Sequence, residues 1–358
     1  MTDPLRSIAT WILATTVAAT AATATATDTR ADSTDPDSST ENPRTPALSR
    51  DPHPWSLTLR YENDIFGGTD RFYTDGVSVS LLQAEARWVD GFANCLPWGM
   101  GTGRRSVGYD FGQMMITPGD KSLVIPDPRD RPYAGILFAG ITLHIENANR
   151  YHGLKFFTGV VGPWSLAGET QREIHRWVNS EQSLGWDSQI HNEPIVNFVY
   201  EHRRRYTLLG QPRSWSAEAL PTATAMLGNV FTQAQIGGQL RWGYNLPDNF
   251  SSTLLRGMGH LPSPRPDPDP NSRSPTFGIF LHGGVHGSLV LHNITLDGNT
   301  WKDSPSVEKN YLVPSAQVGG GISAARVLLD FSYIFRGREF ERQDGSTEFG
   351  AFTVTYRF

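Results

Sequence analysis

A single cysteine, Cys95, excludes an intrachain disulfide framework and a cysteine-based zinc site. Beyond the N-terminus the 358 residues contain no apolar run of about 20, the length a membrane helix needs, so a helical membrane bundle is excluded. A basic excess is also missing: the net charge is -5, which argues against a nucleic-acid binder. Charged residues are scarce at 19%, against roughly 25% in typical soluble domains. Neither a Gly-x-Ser-x-Gly elbow nor a His-Glu-x-x-His motif occurs, so an elbow-type serine hydrolase and a zincin have no support. What is plentiful is glycine (35), proline (24) and tryptophan (10), the composition of a chain with many short elements and turns.

The first 26 residues read as an export signal. Arg6 gives a thin positive region, Trp11 to Ala26 is apolar or small, and Ala24-Thr25-Ala26 suits a cleavage site. Residues 27–54 are rich in Asp, Ser, Thr and Pro and have little to bury, so a disordered linker is expected. Residues 55–358 form the folded unit.

From Trp55 onward the dominant signal is a period of two. Trp55, Leu57, Leu59 and Tyr61 alternate with Ser56, Thr58, Arg60 and Glu62, and Leu137 to Ile145 and Val327 to Phe335 repeat the pattern. Alternation alone suits either a soluble sandwich, apolar face inward, or a transmembrane barrel, apolar face to lipid. The export signal, the Tyr and Trp near strand ends, and a terminal strand Phe352-Val354-Tyr356-Phe358 favour the barrel. A chain ending this way resembles bacterial outer-membrane proteins, whose barrel assembly machinery reads such a strand.

Twelve strands are predicted, near 55–63, 74–86, 104–115, 133–147, 151–162, 192–206, 213–227, 231–245, 276–290, 311–323, 326–337 and 347–358. The expected fold is all-β: a twelve-stranded antiparallel transmembrane β-barrel with a short helix in an outer loop. That helix is predicted over Gly168 to Ser183, from Ile174, Trp177 and Val178 at helical spacing. With a periplasmic N-terminus, loops 64–73, 116–132 and 163–191 all emerge at the outer end. Residues 247–275 form a Pro-rich connection whose Asp267, Asp269 and Asn271 imitate a calcium loop, but Pro268 and Pro270 spoil the geometry.

The three outer loops hold the residues suited to chemistry. Asn63 and Asp64 end the first strand, and their oxygens suit a hard cation such as calcium; the same composition also suits an ordinary hairpin turn. By parity Asp64 and Thr74 are expected to face the lumen. Lys121 lies on the second outer loop, and Arg131 beyond it has the chemistry of a girdle or phosphate contact. His175 sits on the predicted helix one turn after Gln171, with luminal His144 as the competing histidine.

Glu62-Asn63-Asp64, Gly68-Thr69-Asp70-Arg71, Tyr73-Thr74-Asp75-Gly76, Asp130-Arg131-Pro132-Tyr133-Ala134-Gly135 and Asp297-Gly298-Asn299-Thr300 together resemble the lipid A 3'-O-deacylase family of outer-membrane barrels. The resemblance spans about Trp55 to Phe358. It implies a twelve-stranded barrel that uses calcium to hydrolyse an ester-linked acyloxyacyl group of lipid A in lipopolysaccharide. Carried over by motif, Asn63, Asp64 and Glu181 become metal residues, and Thr74, Lys121, Gln171 and His175 catalytic ones. Glu181 would lie off the His175 face if the helix continued that far. The resemblance implies His175 as general base, an imidazole's ordinary pKa of ~6.5 suiting that work. Lys121 would stabilise an oxyanion or bind a lipid A phosphate. An outer-membrane phospholipase and a non-enzymatic channel are the alternatives; the first needs a serine triad that the sequence does not offer.

Overall fold

The computed structural model describes residues 54–64, 72–179, 181–211, 213–250 and 277–358. The expected export signal, nearly all of the 27–54 linker and most of the 247–275 connection lie outside these residues. Thirteen strands form one sheet: β1 (Trp55–Asn63), β2 (Phe72–Gln83), β3 (Arg104–Thr117), β4 (Ala134–Glu146), β5 (Arg150–Val161), β6 (Glu193–Arg204), β7 (Tyr206–Leu209), β8 (Trp215–Gly228), β9 (Phe231–Tyr244), β10 (Phe277–Asn293), β11 (Leu312–Ala324), β12 (Val327–Arg336) and β13 (Thr347–Arg357). β6 and β7 are two parts of one stave interrupted at Arg205, and both pair with β8. The barrel therefore has twelve staves, each antiparallel to its neighbours.

Closure joins the first strand to the last. β1 pairs with β13 from Ser56↔Arg357 to Asn63↔Gly350. Trp55 and Phe358 then exchange both backbone hydrogen bonds, at 3.2 and 2.9 Å. Among the described residues every stave of the barrel is paired on both sides, which is what hydrocarbon demands of a sheet. Among the described residues no helix is long and apolar enough to cross a membrane.

Burial reverses the soluble pattern. Ser56, Thr58, Arg60 and Glu62 of β1 are buried, as are Ser78, Ser80, Asp110, Thr142 and Lys155 on neighbouring strands. Val79, Phe111, Ile141, Phe198, Leu240 and Leu281 are exposed on the other face. The polar face is thus luminal and the apolar face meets lipid. Luminal charges are paired, as burial requires: Lys155 with Asp110 at 2.9 Å, Arg60 with Glu62, and Arg203 with Glu201.

The lumen is not polar throughout. Toward the end carrying the long loops it fills with an apolar cluster that includes Tyr73, Met114, Ile136, Phe138, Phe157, Ile294 and Phe349. Arg131, expected as a surface contact, is instead fully buried: its guanidinium bonds Glu339 at 3.1 Å and the Thr295 hydroxyl at 3.0 Å. A flexible cation is removed from water here because two other outer loops supply its partners. It ties three outer loops together.

Candidate active site

The loop between β5 and β6 lies on the outside of the barrel. Its helix, α2 (Ala167–Val178), follows the short α1 (Asp90–Asn94) of the β2–β3 connection. Ala167, Gln171, Ile174 and His175 recur at helical spacing and face the wall, and Gln171 and His175 are buried. The opposite face is solvated and laced by Arg172–Glu169 and Arg176–Glu173 pairs three residues apart. The helix ends five residues earlier than predicted, because Asn179 adopts a left-handed cap at φ 54°.

Gly135 explains how the helix comes so close. A Cβ there would stand 2.1 Å from Ser165 Oγ and 2.4 Å from the Ala167 methyl. Gln113 Nε2 also donates to the Ser165 carbonyl at 2.6 Å. Met115 of β3 packs with Tyr133, Ala167 and Trp186. Pairing then traces one row around the outer wall: Gly350, Asn63, Asp75, Met115, Gly135. Residues opposite one another share a face of the sheet, so Asn63 and Asp75 belong to the outer surface that α2 partly covers.

Thr74 joins them through a bulge. The β2–β3 register shifts between Tyr73 and Asp75, leaving Thr74 as the extra residue. Its hydroxyl meets the Thr117 hydroxyl at 2.7 Å, on the outer face, while Tyr73 turns inward to Glu62. The luminal direction expected for Thr74 from parity is therefore reversed: one inserted residue switches faces. Asn63 Nδ2 donates to Asp75 Oδ1 at 2.9 Å. The Tyr61 phenol reaches both side chains, with the buried Asp64 carboxylate within electrostatic range.

His175 Nδ1 lies 2.5 Å from the Glu181 carbonyl. A carbonyl only accepts, so Nδ1 carries the hydrogen and the basic lone pair belongs to Nε2. Glu181 lies past the helix, which removes the helical-wheel objection to its meeting His175. It does so through its main chain, and its side chain is exposed. Trp186 Nε1 donates to Gln171 Oε1 at 2.6 Å, which fixes the orientation of that amide. Gln171 Nε2 is then buried without an acceptor among the described residues.

Lys121 is half-buried, and its carbonyl accepts from Leu184 N at 3.0 Å, joining its loop to the segment that follows α2. The loop's base is closed by Asp130, which accepts from Gly119 N at 2.7 Å. Burial pushes the Asp130 carboxyl above its ordinary value. His144 lies elsewhere, on the luminal face and bonded to the Tyr151 hydroxyl at 2.8 Å. It stands nine residues along β4 from Gly135, roughly 30 Å at the ~3.3 Å rise of a strand.

Calcium takes six to eight oxygens. Asn63 and Asp64 offer adjacent oxygen donors of the right class. Among the described residues no group of three or more His, Cys, Asp or Glu gathers around one point. Water and substrate oxygens would complete such a shell. The sequence missed Asp75, Thr117 and Trp186, which orient Asn63, Thr74 and Gln171. It also missed a clamp: Asn299 Oδ1 accepts from His191 N at 2.7 Å, and Thr300 N donates to Glu193 at 2.8 Å, fastening the end of the α2 loop.

LpxR from Salmonella typhimurium superposes with a TM-score of 0.68 at 20% identity, covering 85% of this chain and 100% of that one. The β domain of the Bordetella autotransporter BrkA gives 0.39 at 11% identity, covering 86% and 99%. The translocator domain of NalP from Neisseria meningitidis gives 0.34 at 9% identity, covering 87% and 91%. No curated protein matches the chain. The family model described as outer membrane protein LpxR matches residues 12–358, nearly the whole chain, and the protein therefore belongs to the LpxR family of outer-membrane β-barrel proteins.

Proposed function

We propose that the barrel is a calcium-dependent carboxylic-ester hydrolase that removes the ester-linked 3' acyloxyacyl group from lipid A of lipopolysaccharide. Family membership supports the substrate class. The observation that supports the reading is which side of the wall these residues occupy: α2 turns His175 and Gln171 toward the outer wall, on which Asn63 and Thr74 also lie, rather than toward the lumen. A lipid anchored in the membrane reaches that wall by lateral diffusion, with its acyl chains already against apolar strand faces. A channel would use the lumen, and the apolar cluster there opposes it.

In this reading His175 Nε2 takes a proton from water, whose oxygen bonds to the ester carbon. The ester C–O bond then breaks, and the proton passes to the departing alkoxide. The unsatisfied Gln171 Nε2 and the Lys121 ammonium are the donors for the developing oxyanion. Thr74 orients water or substrate. Asn63 and Asp64, with Glu181 as a further oxygen donor, would hold the calcium, which would supply positive charge to polarise the carbonyl. The test is mass spectrometry of lipid A incubated with purified protein, with calcium and with chelator. Loss of the 3' acyloxyacyl mass in calcium alone is expected. Intact lipid A in both, or release of glycerophospholipid acyl chains instead, refutes the assignment.

A further inference from the structure

At the end of the barrel where β1 begins and β13 finishes, the β2–β3 connection folds back onto the lipid-facing wall. Ala86, Val89 and Ala93 bury against Val107 of β3 and Leu143 and Ile145 of β4, with Leu96 and Leu154 alongside. Arg105 fastens this segment through Asp90 at 2.6 Å and the Gly101 carbonyl at 2.8 Å. Its outer surface presents Trp88 and Phe92, each about 60% exposed. Large aromatics left uncovered on a short amphipathic segment belong at a membrane interface. In an outer-membrane barrel the chain ends lie on the periplasmic side, so this interface is that of the periplasmic leaflet.

Beside it lies a cavity of about 300 Å³ lined by Met100, Arg150, His152, Tyr200, His202 and Arg204. Pairing sets Arg150 opposite Arg204 and His152 opposite His202. The two imidazole centroids lie 4.6 Å apart with their planes tilted by 31°, and His152 hydrogen-bonds the Tyr200 hydroxyl at 3.0 Å. Like charges directly opposite on a sheet destabilise it. Neither arginine has an ion-pair partner among the described residues. Glu201, the nearest acid in sequence, is taken by Arg203. Farther along the same outward faces, the side chains become apolar: Leu154 and Phe156 on β5, Phe198 and Val196 on β6, with Phe156 and Phe198 at 5.0 Å. The wall thus grades from two unneutralised guanidinium groups to hydrocarbon within a few residues, the profile of an anionic amphiphile.

We propose that this cavity binds the phosphate of an anionic phospholipid of the periplasmic leaflet, between Arg150 and Arg204, with its acyl chains along Leu154, Phe156 and Phe198. The phosphate relieves the repulsion of the arginine pair, and Arg forks match phosphate oxygens. The site lies at the opposite membrane face from His175 and does not depend on the hydrolase reading.

The test uses the full chain folded in neutral detergent, with native mass spectrometry reading retention of short-chain phosphatidylglycerol, phosphatidylcholine or inorganic phosphate. Phosphatidylglycerol should be retained in preference to phosphatidylcholine, and equal inorganic phosphate should not displace it. R150A/R204A should weaken retention by at least about tenfold, the weight of one charge-assisted contact, with the heat-modifiable migration of the folded barrel unchanged. Should the double variant fail to assemble, Arg204→Gln alone, at an exposed position, carries the comparison. Equal retention of both lipids, undiminished retention by the assembled variant, or displacement by inorganic phosphate each overturns the proposal.

Discussion

Replacing His175 by alanine separates the two halves of the proposed site, chemistry and scaffold. The structural loss is small. Alanine is the best helix former, and losing the hydrogen bond from Nδ1 to the Glu181 carbonyl costs about 1 kcal/mol. The barrel rests on strand pairing closed around its full circumference, so assembly and heat-modifiable migration should be unchanged. The chemical loss is larger: a general base contributes roughly 10²–10⁴ in rate, or about 3–5 kcal/mol of barrier. His175→Asn sharpens the point, because its amide can still donate to the Glu181 carbonyl but has no basic nitrogen. It should be as slow as the alanine variant. His144→Ala, in the lumen and roughly 30 Å along β4, should hydrolyse at the wild-type rate. The assay is the initial rate of 3' acyloxyacyl release from lipid A in mixed micelles, read by mass spectrometry. If His175→Ala and His175→Asn both stay within about threefold of wild type, while base catalysis predicts a hundredfold or more, the reading of the α2 loop is refuted.

Three further perturbations probe other parts of the molecule. Asp64→Ala removes the charged oxygen donor at the end of β1; calcium-dependent lipid A hydrolysis should collapse with normal membrane insertion, and a variant with unchanged calcium dependence would move the metal elsewhere. Arg131→Ala strands buried Glu339 without one of its cations, a loss of about 3–5 kcal/mol for a buried pair; limited proteolysis should cut loop 118–133 faster while the strands stay protected, and an unchanged cleavage rate counts against the three-loop tie. Burial raises the Asp297 carboxyl, but hydrogen bonds from His292 and Lys309 outweigh it and hold it below the ordinary carboxylate value. Its stabilisation is therefore fully present above that ordinary value and is lost as pH falls through the lower, folded one; hydrogen exchange in the 294–311 loop should accelerate in that acid window, and an exchange profile flat across it would show that Asp297 does not hold the loop.

The barrel was legible because period two is enforced along every stave by lipid on one side and paired polar groups on the other. Ser56 to Glu62 and Leu57 to Tyr61 divide in the structure as they do in the sequence. The helix was legible in place but not in length, since its end depends on the left-handed backbone of Asn179, which helical spacing does not encode. The face on which the candidate site lies was not legible, and one residue accounts for that. Parity carried from Ser78 through Gly76 assigns Thr74 to the lumen. The bulge inserts Thr74 against β3 and brings its hydroxyl to Thr117 on the outer wall. A strand sequence holds no mark of a bulge when the inserted residue is as ordinary as threonine; only the partner strand's register reveals it. Arg131 and Asn299 follow the same logic from the other direction. Both sit in segments that resemble functional motifs, yet their side chains clasp Glu339 and His191, more than a hundred residues away in sequence. Their chemistry was readable, but not their partners, because pairing between outer loops is set by how the closed barrel brings its staves around. The residues that hold the candidate site in place are therefore distributed over four outer loops, and its position on the lipid-facing wall follows from that closure together with the single bulge in β2.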